Sequence, residues 1–148
     1  MWSIVCEIMT QALLRENRSS ALPKIVISLD DYETLSNLAH SAGGDLEYAA
    51  DLLLQELQRA RVVSSEKLDK GIVRIGSWVS YRIGGGTERK VQLVVPYMAD
   101  ISSGRISVLT PVGAALIGLC AGQTIRFATA DGRSQVVQVL EVLQEDGQ

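Results

Sequence analysis

Ser107-Val108-Leu109-Thr110-Pro111-Val112-Gly113-Ala114-Ala115-Leu116-Ile117-Gly118 runs from a strand end through a helix cap and a short helix to a stop. Ile106–Leu109 reads as a β-strand. Thr110 is a natural N-cap, and Pro111 suits the first helical turn, where its missing N–H is not needed. Gly118 falls where a helix between Pro111 and Gly118 would end. The plain reading packs Leu116 and Ile117 on a sheet. It leaves Leu109, Pro111, Val112 and Ala115 around the helix start, where a small apolar patch suits a partner protein.

Outward from this stretch the apolar period is two. Trp78, Ser80 and Arg82 alternate with Val79, Tyr81 and Ile83, which predicts a strand. Lys90–Val95, Thr124–Ala128 and Gln135–Val142 read as further strands, and Asp131-Gly132 is a hairpin-turn signal. Residues 72–143 are thus expected to form a small antiparallel sheet with one short helix packed on it, an α+β unit.

Upstream the period changes to that of a helix. Lys24–Ser28 is a short β-branched run, followed by Ser28, Asp30 and Asp31 as candidate N-caps and Glu33 in capping-box position. Tyr32, Leu35, Leu38, Ala39 and Ala42 share one helical face, and Gly43-Gly44 ends that helix. Asp45 is expected to cap a second helix with the stripe Leu46, Ala49, Ala50, Leu53, Leu54, Leu57 and Ala60. So short a turn makes residues 23–63 an antiparallel helical hairpin. At 1.5 Å rise per residue each arm spans about 20 Å, which makes a stubby prong. Residues 62–71 read as a polar connection. Residues 1–22 read as an N-terminal extension in which Val5, Ile8, Met9, Ala12 and Leu13 fit a short amphipathic helix; an upstream start codon giving a dispensable extension fits as well.

Composition limits the function. The chain has 148 residues, 47% of them hydrophobic, and a net charge of −3. That balance lacks the electrostatic footprint of a nucleic-acid binder, and the basic clusters (Arg59, Arg61, Arg89-Lys90) are short. Two cysteines and one histidine supply neither a disulfide framework nor a zinc site, so no metal or cofactor is expected and the setting reads as reducing cytoplasm. Cys120 lies in an apolar stretch and reads as a buried small hydrophobe. Glu7 and the absent basic n-region argue against a signal peptide, and no segment reaches a membrane span.

Motifs that resemble catalytic ones have simpler readings. Gly84-Gly85-Gly86 is followed by Thr87-Glu88-Arg89 and another strand, not by a Gly-Lys-Ser/Thr helix, so it is a hairpin loop. His40 ends the first helix with no triad partner at readable spacing. A non-enzyme is expected. Asp45, Glu47 and Asp51 make the second helix acidic at its start, which favours the helix dipole.

The run Asp100-Ile101-Ser102-Ser103-Gly104-Arg105-Ile106-Ser107-Val108, the Thr110–Gly118 segment, Ala121-Gly122-Gln123, Asp131-Gly132 and Val139-Leu140-Glu141-Val142 together resemble the C-terminal domain of Gre transcript-cleavage factors. That domain is similar in fold to FK506-binding proteins. Pro111–Leu116, with Val95-Pro96 upstream, is closer to Rnk-type proteins, regulators of nucleoside diphosphate kinase in the GreA/GreB superfamily. Their N-terminal half resembles a Gre factor with a shortened coiled-coil hairpin. The resemblance spans residues 23–142.

The resemblance implies an RNA polymerase partner held near the secondary channel by the C-terminal domain, with the hairpin directed into that channel. Leu109, Thr110, Pro111, Val112 and Ala115 then become docking residues, although Leu109 stands where Gre factors carry a polar or acidic residue. Asp45, Glu47 and Asp51 become hairpin-tip acids. Gre factors space two tip acids three apart, whereas Asp45 and Glu47 are two apart and point in different directions. Competition with Gre factors without stimulated cleavage is the implied activity. The apolar positions of the hairpin can be used up internally, so a monomer is expected. Two alternatives stand beside it: direct action on a nucleoside diphosphate kinase, and prolyl isomerisation. The second is weakened by the few aromatic side chains on offer (Trp78, Tyr81, Tyr97, Phe127).

Overall fold

A computed structural model describes residues 23–129 and 131–144. The expected helix in the N-terminal extension lies outside these residues. Strand β1 (Val26–Ser28) leads directly into helix α1 (Leu29–Ser41), capped by Ser28, whose Oγ accepts the Asp31 N–H at 3.1 Å. A turn at Gly44–Leu46 joins α1 to helix α2 (Glu47–Arg59), and strand β2 (Arg61–Val63) follows. β2 pairs with β1 in parallel, Val26 opposite Arg61 and Ser28 opposite Val63. The start of α1 therefore meets the end of α2, which makes the hairpin antiparallel as expected. The expectation of a polar connection from Val62 was wrong at its start, because a three-residue strand shows no readable alternation. Asp45 was also misassigned as a cap. It lies in the turn, and α2 begins after Leu46 with no side-chain cap.

Strands β3 (Trp78–Ile83), β4 (Arg89–Val94), β5 (Arg105–Ser107), β6 (Thr124–Ala128) and β7 (Ser134–Leu143) form one sheet in the order β5-β4-β3-β7-β6. β3 pairs antiparallel with β4 and β7, and β6 with β7, but β4 and β5 run parallel. The sheet is therefore mixed, not wholly antiparallel as expected. The Pro96–Arg105 loop contains two short 3-10 turns and brings β5 back alongside β4 in the same direction. Helix α3 (Pro111–Leu116) is the expected single short helix. Gly84 and Gly85, at φ of 57° and 76°, close the β3–β4 hairpin in left-handed backbone.

The two halves share one core. Leu35, Ala39, Ala50, Leu53 and Leu57 of the hairpin belong to the same buried cluster as Val79, Leu93, Leu116, Ile117, Val137 and Val139. Helix α3 is in contact with α2 as well as with β6 and β7, and every residue from Gly113 to Cys120 is buried. Cys120 is buried, as expected. The junction is tight at Gly118. Its carbonyl accepts the Val26 N–H (3.2 Å), its N–H donates to Val73 O (2.9 Å), and a Cβ there would sit 2.8 Å from the Ile25 Cβ. At φ of 82° only glycine adopts this backbone without strain.

Candidate functional site

The start of α3 is built by hydrogen bonds from the strand that precedes it. Thr110 Oγ1 accepts the Gly113 N–H at 3.1 Å and donates to Ser107 O at 2.8 Å. Ser107 Oγ accepts the Leu109 N–H at 2.9 Å. A Cβ on Gly113 would lie 2.3 Å from Ser107 O and 2.8 Å from Thr110 Oγ1, so strand end and first helical turn approach as closely as glycine allows. Pro111 occupies the first turn, where its lack of an N–H costs nothing.

Exposure divides the five residues that sequence reading grouped there. Thr110, Pro111 and Val112 are half-buried. Leu109 and Ala115 are buried, at 3% and 4% exposure, and cannot form part of a surface patch. Both belong to the core shared with the hairpin, and α2 packs on α3, which a lone helix on a sheet would leave open to water.

The three acidic residues of the hairpin tip are all exposed. Asp45 lies in the turn, while Glu47 and Asp51 are one helical turn apart along α2 and hence on one side of it. Among the described residues no group of three or more His, Cys, Asp or Glu is placed to hold a metal ion. The hairpin near its tip also touches the sheet, for the Tyr48 hydroxyl donates to Ala128 O at 2.8 Å at the end of β6.

At the opposite end of the hairpin, Asp31 fastens α1 to the turn that precedes β3. Its carboxylate accepts the Ile75 N–H at 3.1 Å and lies 3.8 Å from Arg74 Nε. Burial pushes this carboxyl above its ordinary range, against the Ile75 hydrogen bond and the Arg74 charge, which pull it down. Sequence reading offered Asp31 only as an alternative cap.

Comparison with known proteins places this architecture. Residues 68–144 match the family model described as transcription elongation factor, GreA/GreB, C-term, and residues 23–63 match the one described as Rnk N-terminus. The Escherichia coli K12 protein named regulator of nucleoside diphosphate kinase is 34% identical over 121 residues, 81% of this chain and 89% of that one.

The chain belongs to the GreA/GreB family, with an Rnk-type N terminus.

Transcription elongation factor GreA of Syntrophobacter fumaroxidans is 31% identical over 137 residues, covering 89% of this chain and 87% of that protein. A solved GreA/GreB factor from Nitrosomonas europaea is 36% identical, with a TM-score of 0.63 over 82% of this chain and 98% of that structure. Within this Rnk-type Gre-family chain, sequence reading missed one surface. Tyr97 and Ile101, at 86% and 87% exposure, and Met98, at 45%, project from the Pro96–Arg105 loop. Large apolar residues inside a segment of turn chemistry (Pro96, Asp100, Ser102-Ser103-Gly104) were the available signal.

Proposed function

We propose that this Rnk-type member of the GreA/GreB family is a non-catalytic transcription regulator that binds RNA polymerase near its secondary channel. Thr110, Pro111 and Val112 would make the contact, and the buried Leu109 and Ala115 would support it from behind. The observation that carries the reading is the match of residues 68–144 to the C-terminal family of transcription elongation factors, joined to a helix start held rigid by Thr110, Ser107 and Gly113. A site fixed before binding loses little entropy on docking.

The same reading has the chain compete with Gre factors without stimulating transcript cleavage. Its support is that the hairpin arms are short, that their inner faces are used up in the common core, and that Asp45 lies in the turn whereas Glu47 and Asp51 lie on the helix. Apolar faces satisfied within one chain also support a monomer. No helix among the described residues is long and apolar enough to cross a membrane, and the excess of acidic residues argues against direct sequence-specific nucleic-acid binding.

The test is retention on bacterial core RNA polymerase by wild type, Pro111→Asp and Val112→Asp, with competition against a Gre factor. Deleting the hairpin is unsuitable, because it would strip the core; Asp45→Lys with Glu47→Lys changes the tip while leaving the fold intact. Retention of wild type and its loss in both α3 variants is expected. No retention under conditions that hold a Gre factor would end the polymerase reading.

A second reading rests on the name of the Escherichia coli relative, a regulator of nucleoside diphosphate kinase. Co-purification with that kinase in the absence of polymerase would favour it. Prolyl isomerisation is disfavoured by the fold, since Tyr81 and Phe127 are packed in the core and only Trp78 and Tyr97 line an open cleft.

A further inference from the structure

A cleft on the sheet domain belongs to neither the α3 start nor the hairpin tip. One wall is the Ser65–Lys70 segment with the Arg74–Gly76 turn; the other is the end of β4 with the Pro96–Arg105 loop, and Trp78 lies between them. Amide hydrogen bonds brace the walls. Gln144 Nε2 donates to Lys70 O and Ile72 O, both at 2.9 Å, and Gln92 Nε2 donates to Gly76 O at 3.1 Å. The loop is equally fixed. The Asp100 carboxylate accepts the Ser102 N–H (3.1 Å) and the Ser102 and Ser103 hydroxyls (2.6 and 2.9 Å), while Asp100 and Arg105 exchange backbone hydrogen bonds at 2.9 Å.

This bracing holds large apolar side chains out in water. Tyr97 and Met98 form the cleft's rim and Ile101 stands in the same loop. One exposed hydrophobe is ordinary, but three on one fixed loop beside a preformed cleft resemble a binding surface. The charge of the cleft runs against that of the chain. Lys70, Arg74 and Arg105 line it with Glu66, whereas the chain as a whole carries −3. Arg74 is partly satisfied by Asp31, and Arg105 faces Asp100. Lys70 forms no ion pair among the described residues.

We propose that this cleft binds an acidic segment of a partner protein that anchors an apolar side chain against Trp78, Met98 and Tyr97 and sets carboxylates beside Lys70 and Arg105. The site is separate from the α3 start, so it stands or falls independently of polymerase docking. Trp78 is the reporter. Its only companion tryptophan is Trp2, and Trp2→Phe leaves one signal. The full chain in that background would be titrated with three short peptides: glutamates flanking a Leu-Leu pair, glutamates flanking Ser-Ser, and lysines flanking Leu-Leu.

The Glu/Leu peptide alone is expected to give a saturable shift of Trp78 emission. That shift should weaken as salt rises and fall at least about tenfold in affinity in the variants Lys70→Glu with Arg105→Glu, and Tyr97→Ser with Met98→Ser. An absent shift, equal binding of the lysine or serine peptide, or unchanged binding in the variants would overturn the proposal. So would tighter binding of a single-stranded oligonucleotide than of the Glu/Leu peptide. Unchanged thermal unfolding of the variants separates lost binding from lost fold.

Discussion

The hairpin and the helix α3 differ in how they use the same structural device, a helix with an apolar face. Helices α1 and α2 each bury one face and leave the other wet, so their sequences show the periodicity of amphipathic helices. Helix α3 is buried from Gly113 onward, because the sheet covers one side and α2 another. Only its first turn, at Thr110–Val112, reaches the surface. The difference teaches that exposure at the proposed docking site depends on an element remote in sequence: the hairpin decides which residues of α3 a partner can touch.

Substitutions can break or sharpen this contrast. The largest expected effect is at Leu53, fully buried where α2 enters the common core. Leu53→Ala should cost about 2–5 kcal/mol, and thermal unfolding followed by Trp78 fluorescence in the Trp2→Phe background and by helical circular dichroism should move together. Separate transitions would show two independent halves. Gly113→Ala comes next. Its Cβ would meet Ser107 O, a backbone atom that cannot rotate away, and overpacking of this kind costs about 1–3 kcal/mol. Denaturant titration measures it, and a neutral result would refute the tight strand-to-helix junction.

Much of this contrast is legible in the sequence, and what is not has a physical cause. Period-two alternation identified β3 and β7, and the Thr110-Pro111 cap identified α3, because these signals are local. The parallel pairing of β1 with β2 and of β4 with β5 depends on contacts between segments that carry no mark of each other. The burial of Leu109 and Ala115 in a core shared with α2, which packs on α3, is something composition cannot show. Asp31 reads as a cap candidate, yet its carboxylate is used across the domain at Ile75, 44 residues along the chain.

Asp31 gives the pH test. Its folded-state pKa is raised, so the unfolded chain releases this proton first. The contribution of Asp31 is therefore most favourable below the ordinary carboxylate range and is lost as pH rises through the raised folded value. Asp31→Asn keeps an acceptor for the Ile75 N–H and removes the titration. The difference in unfolding free energy between wild type and this variant should shift toward the variant as pH rises through that window; a flat difference would contradict the burial of an ionisable Asp31. Asp31→Ala leaves the Ile75 N–H without its acceptor and should cost about 1–3 kcal/mol.

Smaller effects are expected at the two surfaces. Thr110→Ala removes the cap on α3 and should cost about 1 kcal/mol, with a proportionate loss of polymerase retention if the first turn makes the contact. Asp45→Asn and Glu47→Gln, both at exposed positions of the tip, should change stability by less than about 0.5 kcal/mol in calorimetry.

The most direct test of the shared core is native-state hydrogen exchange, comparing amides in α1 and α2 with those in β3 and β7. One body predicts that the most protected amides of both regions, those of Leu53 and Val139 among them, exchange with the same free energy, equal to that of global unfolding. Hairpin amides that exchange through a much cheaper opening, while the sheet stays protected, would contradict the account and restore the picture of a detachable prong.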